Sequence, residues 1–465
     1  MKIKYYKPSA VSGSAILMVV VITALAAIVL AAYLGLVSRQ NYSTVRSQAW
    51  NSTIPVIEAG IEDAMAHLNA HGSTNLNCDD WRPVGGLYVM RRDVGDNYYV
   101  VTISNFVAGA SNNNPMIDSR GYVSMPVQIA SSHNTMLAAA GVSSGNGIMA
   151  RGIRVATGKN ALFAKGLVAK GQIDMNGNNI ATDSFDSSDP NYSVGGKYSS
   201  AKRKDNGDVA TNSGLVNSVN VGNADILGHI STGPGGSVSI GPNGSVGDLA
   251  WGGANGVKPG WVKDDMNIIF PDVKVPFTGG AFSLSGGSVG GTSYDYVLGN
   301  GNYQASSLSM GSKDKMIVTG TNTVLYVTGD FSMGGQSTIT IAAGASLKLY
   351  VAGSSGSIGG NGVINPGAAL NFIYYGLPSN TSLSFSGNAA FTGVIYAPNA
   401  TFTMNGGGSS TYDFVGASIT KTVTMNGHFN FHYDEALSKY GPARGFVVTS
   451  WNEMSPQEVA GLAIE

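Results

Sequence analysis

The sequence predicts a mainly β protein: a long amino-terminal apolar α-helix, a small β-rich region, then a β-solenoid, with a β-sandwich as the alternative for the same strands. Three observations carry this. Residues 14–37 contain no charge, no proline and one glycine, Gly35, whereas a water-soluble helix keeps a polar side. From about residue 134, short alternating runs such as ITIAAGASLKLYVAG and SLSFSGNAAFTGVIYAP are punctuated by Gly, Asn and Ser, the pattern of short strands joined by turns. Within those runs Tyr326, Tyr350, Tyr374 and Tyr396 recur in similar contexts at intervals of 24, 24 and 22 residues, which points to stacked repeats.

The elements follow in order. Residues 1–13 are a short leader carrying Lys2, Lys4 and Lys7. The apolar run, with Ile16, Leu17, Val20, Ile22, Leu25, Ile28, Leu30 and Leu34, supplies the roughly 20 residues a bilayer crossing needs. A cleaved secretory signal has a shorter apolar stretch of about 7–15 residues, although Ala26–Ala32 offers small residues at which such a cut could fall. A buried core helix is the third reading. The leading lysines favour a cytoplasmic amino terminus; Arg39 and Arg46 weaken that asymmetry without reversing it, and everything beyond residue 40 then lies outside the inner membrane. From Trp50 the apolar positions Trp50, Ile54, Ile57, Ile61, Met65 and Leu68 are spaced three or four apart, one face of a helix. Pro55 predicts a kink or short break, and Gly72 an end.

Residues 73–133 read as a small β-rich connector, with strands at GLYVM (86–90), NYYVVTISNF (97–106) and GYVSMPVQIA (121–130). The solenoid is expected over 134–443, with 183–265 as an irregular excursion or long loop, and 444–465 as a tail. A coil of two or three strands of about five residues each needs about the observed repeat length.

Composition narrows the function classes. With 465 residues there is room for two or three domains. The net charge of −1 supplies no basic field for nucleic acid. Cys78 is the one cysteine, which excludes an internal disulfide framework and any multi-cysteine zinc site. Glycine is abundant, at 64 residues, but 43% of the chain is hydrophobic and 21 residues are tyrosine, unlike a disordered chain.

Candidate chemistry is sparse. His432, Asp434 and Glu435 in FHYDEAL could serve acid–base catalysis, but no nucleophile motif accompanies them, and a last rung or capping turn is the expected role. Asp183, Asp186 and Asp189 in DSFDSSDP, and Asp205 and Asp208 in KDNGD, could offer oxygens to calcium; neither matches a known calcium loop, and solvated turns are expected. GPGGSVSIGPNGSVGD lacks the Gly-Lys-Ser/Thr of a phosphate loop. AKRKD (201–205) reads as a solvated basic loop. His67 and His71 share a helical face, but zinc needs at least one more ligand, so helix surface is expected, with Cys78 a lone thiol. Trp251 and Trp261 frame GGANGVKPG and either stack on a sugar face, or plug the solenoid or cover a loop. No catalytic, cofactor-binding or metal residue is therefore assigned.

The stretch SGSAILMVVVITALAAIVLAAYLGL, followed by EAGIEDAMAHL, resembles the amino-terminal segment of PilX-type minor pilins and pilus-assembly proteins, and also that of large pseudopilins of type II secretion. The resemblance implies cleavage by a prepilin peptidase between Gly13 and Ser14. The apolar helix then becomes the mature amino terminus and packs against other pilin-like subunits. Many major pilins carry a glutamate at the fifth mature position; Met18 stands there, which implies a minor component. The glycine-rich part resembles solenoid regions of pilus-associated proteins and implies architecture only. The expected function is a non-enzymatic, type IV pilus-associated surface protein. Its helix is held in the inner membrane and then in a filament, and its solenoid projects for adhesion or assembly, with a surface glycan as a candidate target. A membrane-tethered β-helix enzyme acting on polysaccharide and a plain tethered scaffold are the alternatives. No cofactor is implied.

Overall fold

The computed structural model describes residues 14–71, 75–107, 114–125, 147–177, 179–251, 254–387, 390–406, 412–441 and 443–460. Gly13, one side of the expected cleavage, lies outside them. The chain divides into two compact units, Met1–Lys159 with Gly445–Glu465, and Asn160–Arg444. It is mainly β, with an amino-terminal apolar helix and a β-solenoid of about nine turns.

The first unit is built on one helix, α1 (Ser14–His71), which runs through Pro55 without a break. A proline inside a helix removes one backbone hydrogen bond, and here its neighbours Val56 and Ile57 are buried against a sheet that holds the turn in place. The buried face is Thr53, Val56, Ile57, Gly60, Ile61, Ala64 and Leu68, while Trp50 is exposed and Ile54 and Met65 only half-buried. Small residues explain the rotation from the predicted stripe. A side chain on Gly60 would begin 2.4 Å from Ser119 Oγ, and one on Gly121 would begin 2.9 Å from the Thr53 carbonyl oxygen. Two glycines thus let helix and sheet backbones touch, and Ser119 Oγ donates to the Ile57 carbonyl at 2.9 Å.

That sheet is antiparallel: β1 (Arg82–Val84), β2 (Leu87–Val94), β3 (Asn97–Ser104), β4 (Met116–Ser124) and β5 (Ile148–Ala161), in that order, with the strand Ala443–Glu453 added beyond β5. Two sequence boundaries move as a result. The unit with the helix extends past residue 134 to take in β5. The segment from 444 is a sixth strand followed by the short helix Pro456–Ala460, not a tail. Partners so distant in sequence leave no local signal. Arg151 holds that strand by donating to both carboxylate oxygens of Glu453, at 2.6 and 3.0 Å.

The second unit is a three-sided parallel solenoid. Along one face Phe282, Tyr303, Leu325, Leu349, Tyr374, Ile395 and Ser418 succeed one another in register. The series then continues not into later sequence but into Leu167, Val209, Ile230 and Val262. The chain therefore enters the stack in its middle. It winds outward to Val262, crosses back, and winds again from Phe282 until the strand Tyr412–Gly427 pairs with the strand Leu167–Ala169.

The crossing, residues 264–281, has no strands and lies along the outside of this face. Met266 donates its N–H to the Thr232 carbonyl at 2.9 Å, Tyr396 donates to the Pro271 carbonyl at 2.6 Å, and Phe277 meets Tyr326 edge-on. Met266, Phe270 and Val273 bury themselves there against Val168, Ala210, Ile373, Val394 and Ile419. A parallel sheet covered on both sides is apolar on both, which is why this face lacks clean alternation.

The tyrosine series shifts by one residue. Tyr326, Tyr350, Tyr375 and Tyr396 align on the outer side, whereas Tyr374 points inward, is fully buried, and donates to Asn380 Oδ1 at 3.1 Å. A single-residue slip moves a strand side chain to the opposite face. The 183–265 region is also more regular than predicted: Val209–Thr211, Val219–Gly222, Asp225–Leu227, Ile230–Ser231, Val238–Ile240 and Ser245–Gly247 are all rungs. Strands of two to four residues are too short to show alternation. Glycine permits the tight stacking, and at Gly416, with φ of 137°, an added side chain would begin 1.8 Å from the Gly393 carbonyl oxygen. Outward Ser and Asn pair between turns, as in Ser332–Ser309 at 3.1 Å and Asn426–Asn405 at 3.0 Å.

Candidate functional site

Three places combine the residues singled out by sequence. The first is the amino-terminal half of α1. Ile16, Leu17, Val20, Ile22, Leu25, Ile28, Leu30 and Leu34 are all exposed, each by more than half of its surface. The helix is long and apolar enough to cross a membrane. Thr23 Oγ1, a rare polar atom here, returns its hydrogen to the Val19 carbonyl at 2.9 Å, so this hydroxyl is satisfied within the helix, as a bilayer requires. An apolar surface of this extent on every side suits a membrane anchor or a signal sequence. Ser14 is the first residue of α1.

The second place is in the solenoid, where FHYDEAL and DSFDSSDP become neighbours. The strand Phe429–Asp434 pairs with the strand Ala181–Phe185, setting His432 opposite Asp183 and Asp434 opposite Phe185. Asp183 is buried; its Oδ1 lies 2.5 Å from His432 Nδ1, and its Oδ2 accepts from Tyr198 at 2.7 Å. The rings of Tyr198 and His432 stack 3.5 Å apart. Asp434 accepts from Ser187 N–H, Ser187 Oγ and Ala436 N–H at 3.0, 2.7 and 3.1 Å. Glu435 accepts from Ser184 Oγ and Asn206, both at 2.8 Å, and pairs with Lys204. Lys439 donates to Asp186 at 2.6 Å.

This arrangement corrects three expectations. FHYDEAL is the last rung in sequence but an inner rung of the stack, because the first rung lies beyond it. Asp183 and Asp186 are buried rather than solvated, and each faces its own partner, so the two do not converge as calcium ligands. Lys204 of the basic loop is engaged by Glu435, and Lys202 donates to the Pro190 and Ser193 carbonyls at 2.5 and 2.8 Å. The excursion 186–208 is thus sewn to the rungs by charge-assisted bonds, the strong kind.

Electrostatics here run in both directions. Burial pushes the Asp434 carboxyl above the usual range against the pull of its Ser187 and Ala436 bonds, and the charge of Asp186 adds to the rise. Burial also opposes ionisation of Asp186, but the hydrogen bonds from Lys439 and Ser188 outweigh it and hold that carboxyl low. A raised folded pKa gives stability that is complete below the ordinary carboxylate range and lost as pH climbs through the folded value. Asp434→Asn, which keeps the shape and discards the titration, therefore gains on wild type as pH rises from 4 to 7. Urea unfolding at the two pH values measures the difference, and a pH-independent gap between the two proteins would contradict the assignment. A cavity of about 320 Å³ opens beside Asp434, lined also by Lys197, Tyr198, Asn365 and Thr392.

The third place is where α1 ends. His67 and His71 gain neighbours that spacing alone did not reveal, since Cys78 and Asp79 fold back against them. One potential ligand atom from each of the four lies within 4.8 Å of the others. The partners come from the segment between α1 and β1, which has no regular pattern for a sequence reading to use.

The two tryptophans are committed to the solenoid. Trp251 covers Gly247 and donates to the Gly256 carbonyl at 3.3 Å, and Trp261 stacks on His229 at 4.0 Å and packs against the core. The Gly235–Asp248 stretch supplies the rungs Val238–Ile240 and Ser245–Gly247. Asp205 accepts from Leu249 N–H, and Asp208 from Lys165 and His229 N–H, so these two carboxylates also have separate partners.

Residues 281–440, about a third of the chain, match a family described as a domain of unknown function (DUF7305). No curated protein matches the chain. The solved structure of the competence-associated pilin ComZ from Thermus thermophilus aligns over 86% of this chain and 97% of its own, at 11% identity and a TM-score of 0.20. A score that low carries no argument for a shared fold or role.

Proposed function

We propose that this chain is a type IV pilus-associated surface protein of the minor-pilin kind, acting by assembly and binding rather than by catalysis. One observation supports the reading above the others. A single helix is apolar on every side over its first half and packs its second half onto an antiparallel sheet. The first half suits storage in a bilayer and later packing against other apolar helices, since a filament core of such helices is as apolar as lipid. In this reading the leader is removed by a prepilin peptidase, and the amino terminus starts in the cytoplasm with the rest beyond the inner membrane. Met18 offers no carboxylate to a neighbouring subunit's amino terminus, which favours a few copies over a repeating polymer. The solenoid makes the outward contact, and a glycan is the proposed partner class, seated in the cavity beside Asp434.

The test is the mature amino terminus. Expressed with a prepilin peptidase, the protein should start at Ser14, read by intact-mass and peptide mass spectrometry. Gly13→Val should leave the leader attached. A start at Met1 in the wild type, or a cut near Ala32, would reject pilin-type processing in favour of a simple anchor or a cleaved signal.

A further inference from the structure

We propose that His67, His71, Cys78 and Asp79 bind one zinc ion, which clips the end of α1 to the segment leading into β1. Two nitrogens, one sulfur and one oxygen form a donor set that zinc accepts, in tetrahedral geometry. Bonds of about 2.0–2.3 Å place the ligand atoms of such a site roughly 3.3–3.8 Å apart. The four donors here lie within 4.8 Å of one another, so a small inward movement completes the shell.

The surroundings are those of a held ligand set. His67 is buried, its ring stacks on Trp81 with centroids 4.9 Å apart, and its Nε2 lies 2.9 Å from the Leu76 carbonyl oxygen. A histidine that gives one N–H to a backbone carbonyl turns its other nitrogen, here Nδ1, into the lone-pair donor, the usual outer-shell pattern of metal-bound imidazole. His71 sits one turn further along the helix, with its ring 5.0 Å from that of His67 and its Nε2 2.9 Å from Asp79 Oδ2. Asp79 and Asp80 both adopt positive φ, 53° and 69°, a backbone that non-glycine residues seldom take up in succession. That turn brings Cys78 and Asp79 back towards the helix.

Charge balances as well. Zinc displaces the thiol proton of Cys78 to solvent, while the His71 ring keeps one N–H on the nitrogen that faces away from the ion. The ion then meets one thiolate, one carboxylate and two neutral imidazoles, for a net charge of zero. Calcium and magnesium prefer all-oxygen shells, so this set discriminates against both. Metal binding here is also folding energy, because it ties the end of α1 to the segment before β1.

The test uses the full chain, untagged and purified in detergent. After stripping with a chelator and adding back zinc, atomic mass spectrometry should find one zinc per chain. Cobalt(II) should give visible tetrahedral d–d bands and a thiolate-to-cobalt charge-transfer band. Cys78→Ser and His71→Asn, both at partly exposed positions, should keep the far-ultraviolet circular dichroism. They should weaken binding by more than the roughly 10–100-fold that outer-shell changes cost, and Cys78→Ser should abolish the charge-transfer band. Absence of stoichiometric zinc at micromolar free metal overturns the site. So does the same zinc content and cobalt spectrum in both variants.

Discussion

Phe414→Ala should destabilise the solenoid by about 3–5 kcal/mol, the range for truncating a fully buried phenylalanine. Phe414 is completely buried, between Phe391 and Phe431, with ring centroids 4.6 Å away on each side. Phe385 and Phe402 meet it edge-on. Such aromatic pairs are worth about 0.5–1.5 kcal/mol beyond their buried area, and rungs above and below hold the backbone, so the cavity has little room to collapse. Urea unfolding of the solenoid transition measures the loss, and Phe414→Leu serves as the milder control. Where the loss is felt is equally informative. In an ordinary solenoid each turn depends on its neighbours in sequence. Here the strand containing Phe414 also pairs with the strands Leu167–Ala169 and Ile173–Asp174. Amide exchange should therefore accelerate in 167–185 as well as in 391–434. Acceleration confined to 391–434 would mean that the two halves of the stack are not interlocked.

Leu25→Arg should remove the protein from the membrane fraction. Leu25 lies near the middle of the apolar half of α1 and is 57% exposed. Arginine at the centre of a membrane helix costs about 2.5–3.5 kcal/mol on insertion scales, which is on the order of a hundredfold in a partition equilibrium. Leu25→Phe should partition as wild type does. The folded part should be indifferent: the packing of Ile57, Ile61 and Leu68 on the sheet begins more than two dozen residues later, so thermal unfolding of that unit should match wild type. Wild-type levels of the arginine variant in membranes would show that this helix is not the anchor. Loss of both partitioning and fold would point instead to general misfolding.

Much of this architecture is written locally. The all-round apolarity of residues 14–37 needs no partner to be recognised, because lipid or another apolar helix satisfies every side alike. The strands of β2 and β3, and the texture of turns from Thr323 to Gly427, follow from alternation and glycine. What local pattern left open is whatever depends on residues far apart. A period of 24 residues announces a repeat, but cannot say that Tyr375 rather than Tyr374 faces outward, since one extra residue in a turn decides it. The short rungs between 209 and 247 are held by the turns above and below more than by their own propensity.

The amino-acid sequence by itself determined that this protein has a bilayer-compatible helix and a glycine-punctuated solenoid, because hydrophobic periodicity acts over a few residues. Only the tertiary structure decided that the last rung closes on the first, that Ala443–Glu453 completes the helix-bearing sheet, and that Asp183 meets His432. The same holds for the approach of Cys78 and Asp79 to His67 and His71. The physical reason is common to all four. Each is a hydrogen-bonding or side-chain match between segments whose separation in the chain carries no periodic signal, selected only when the backbone has already brought them within reach.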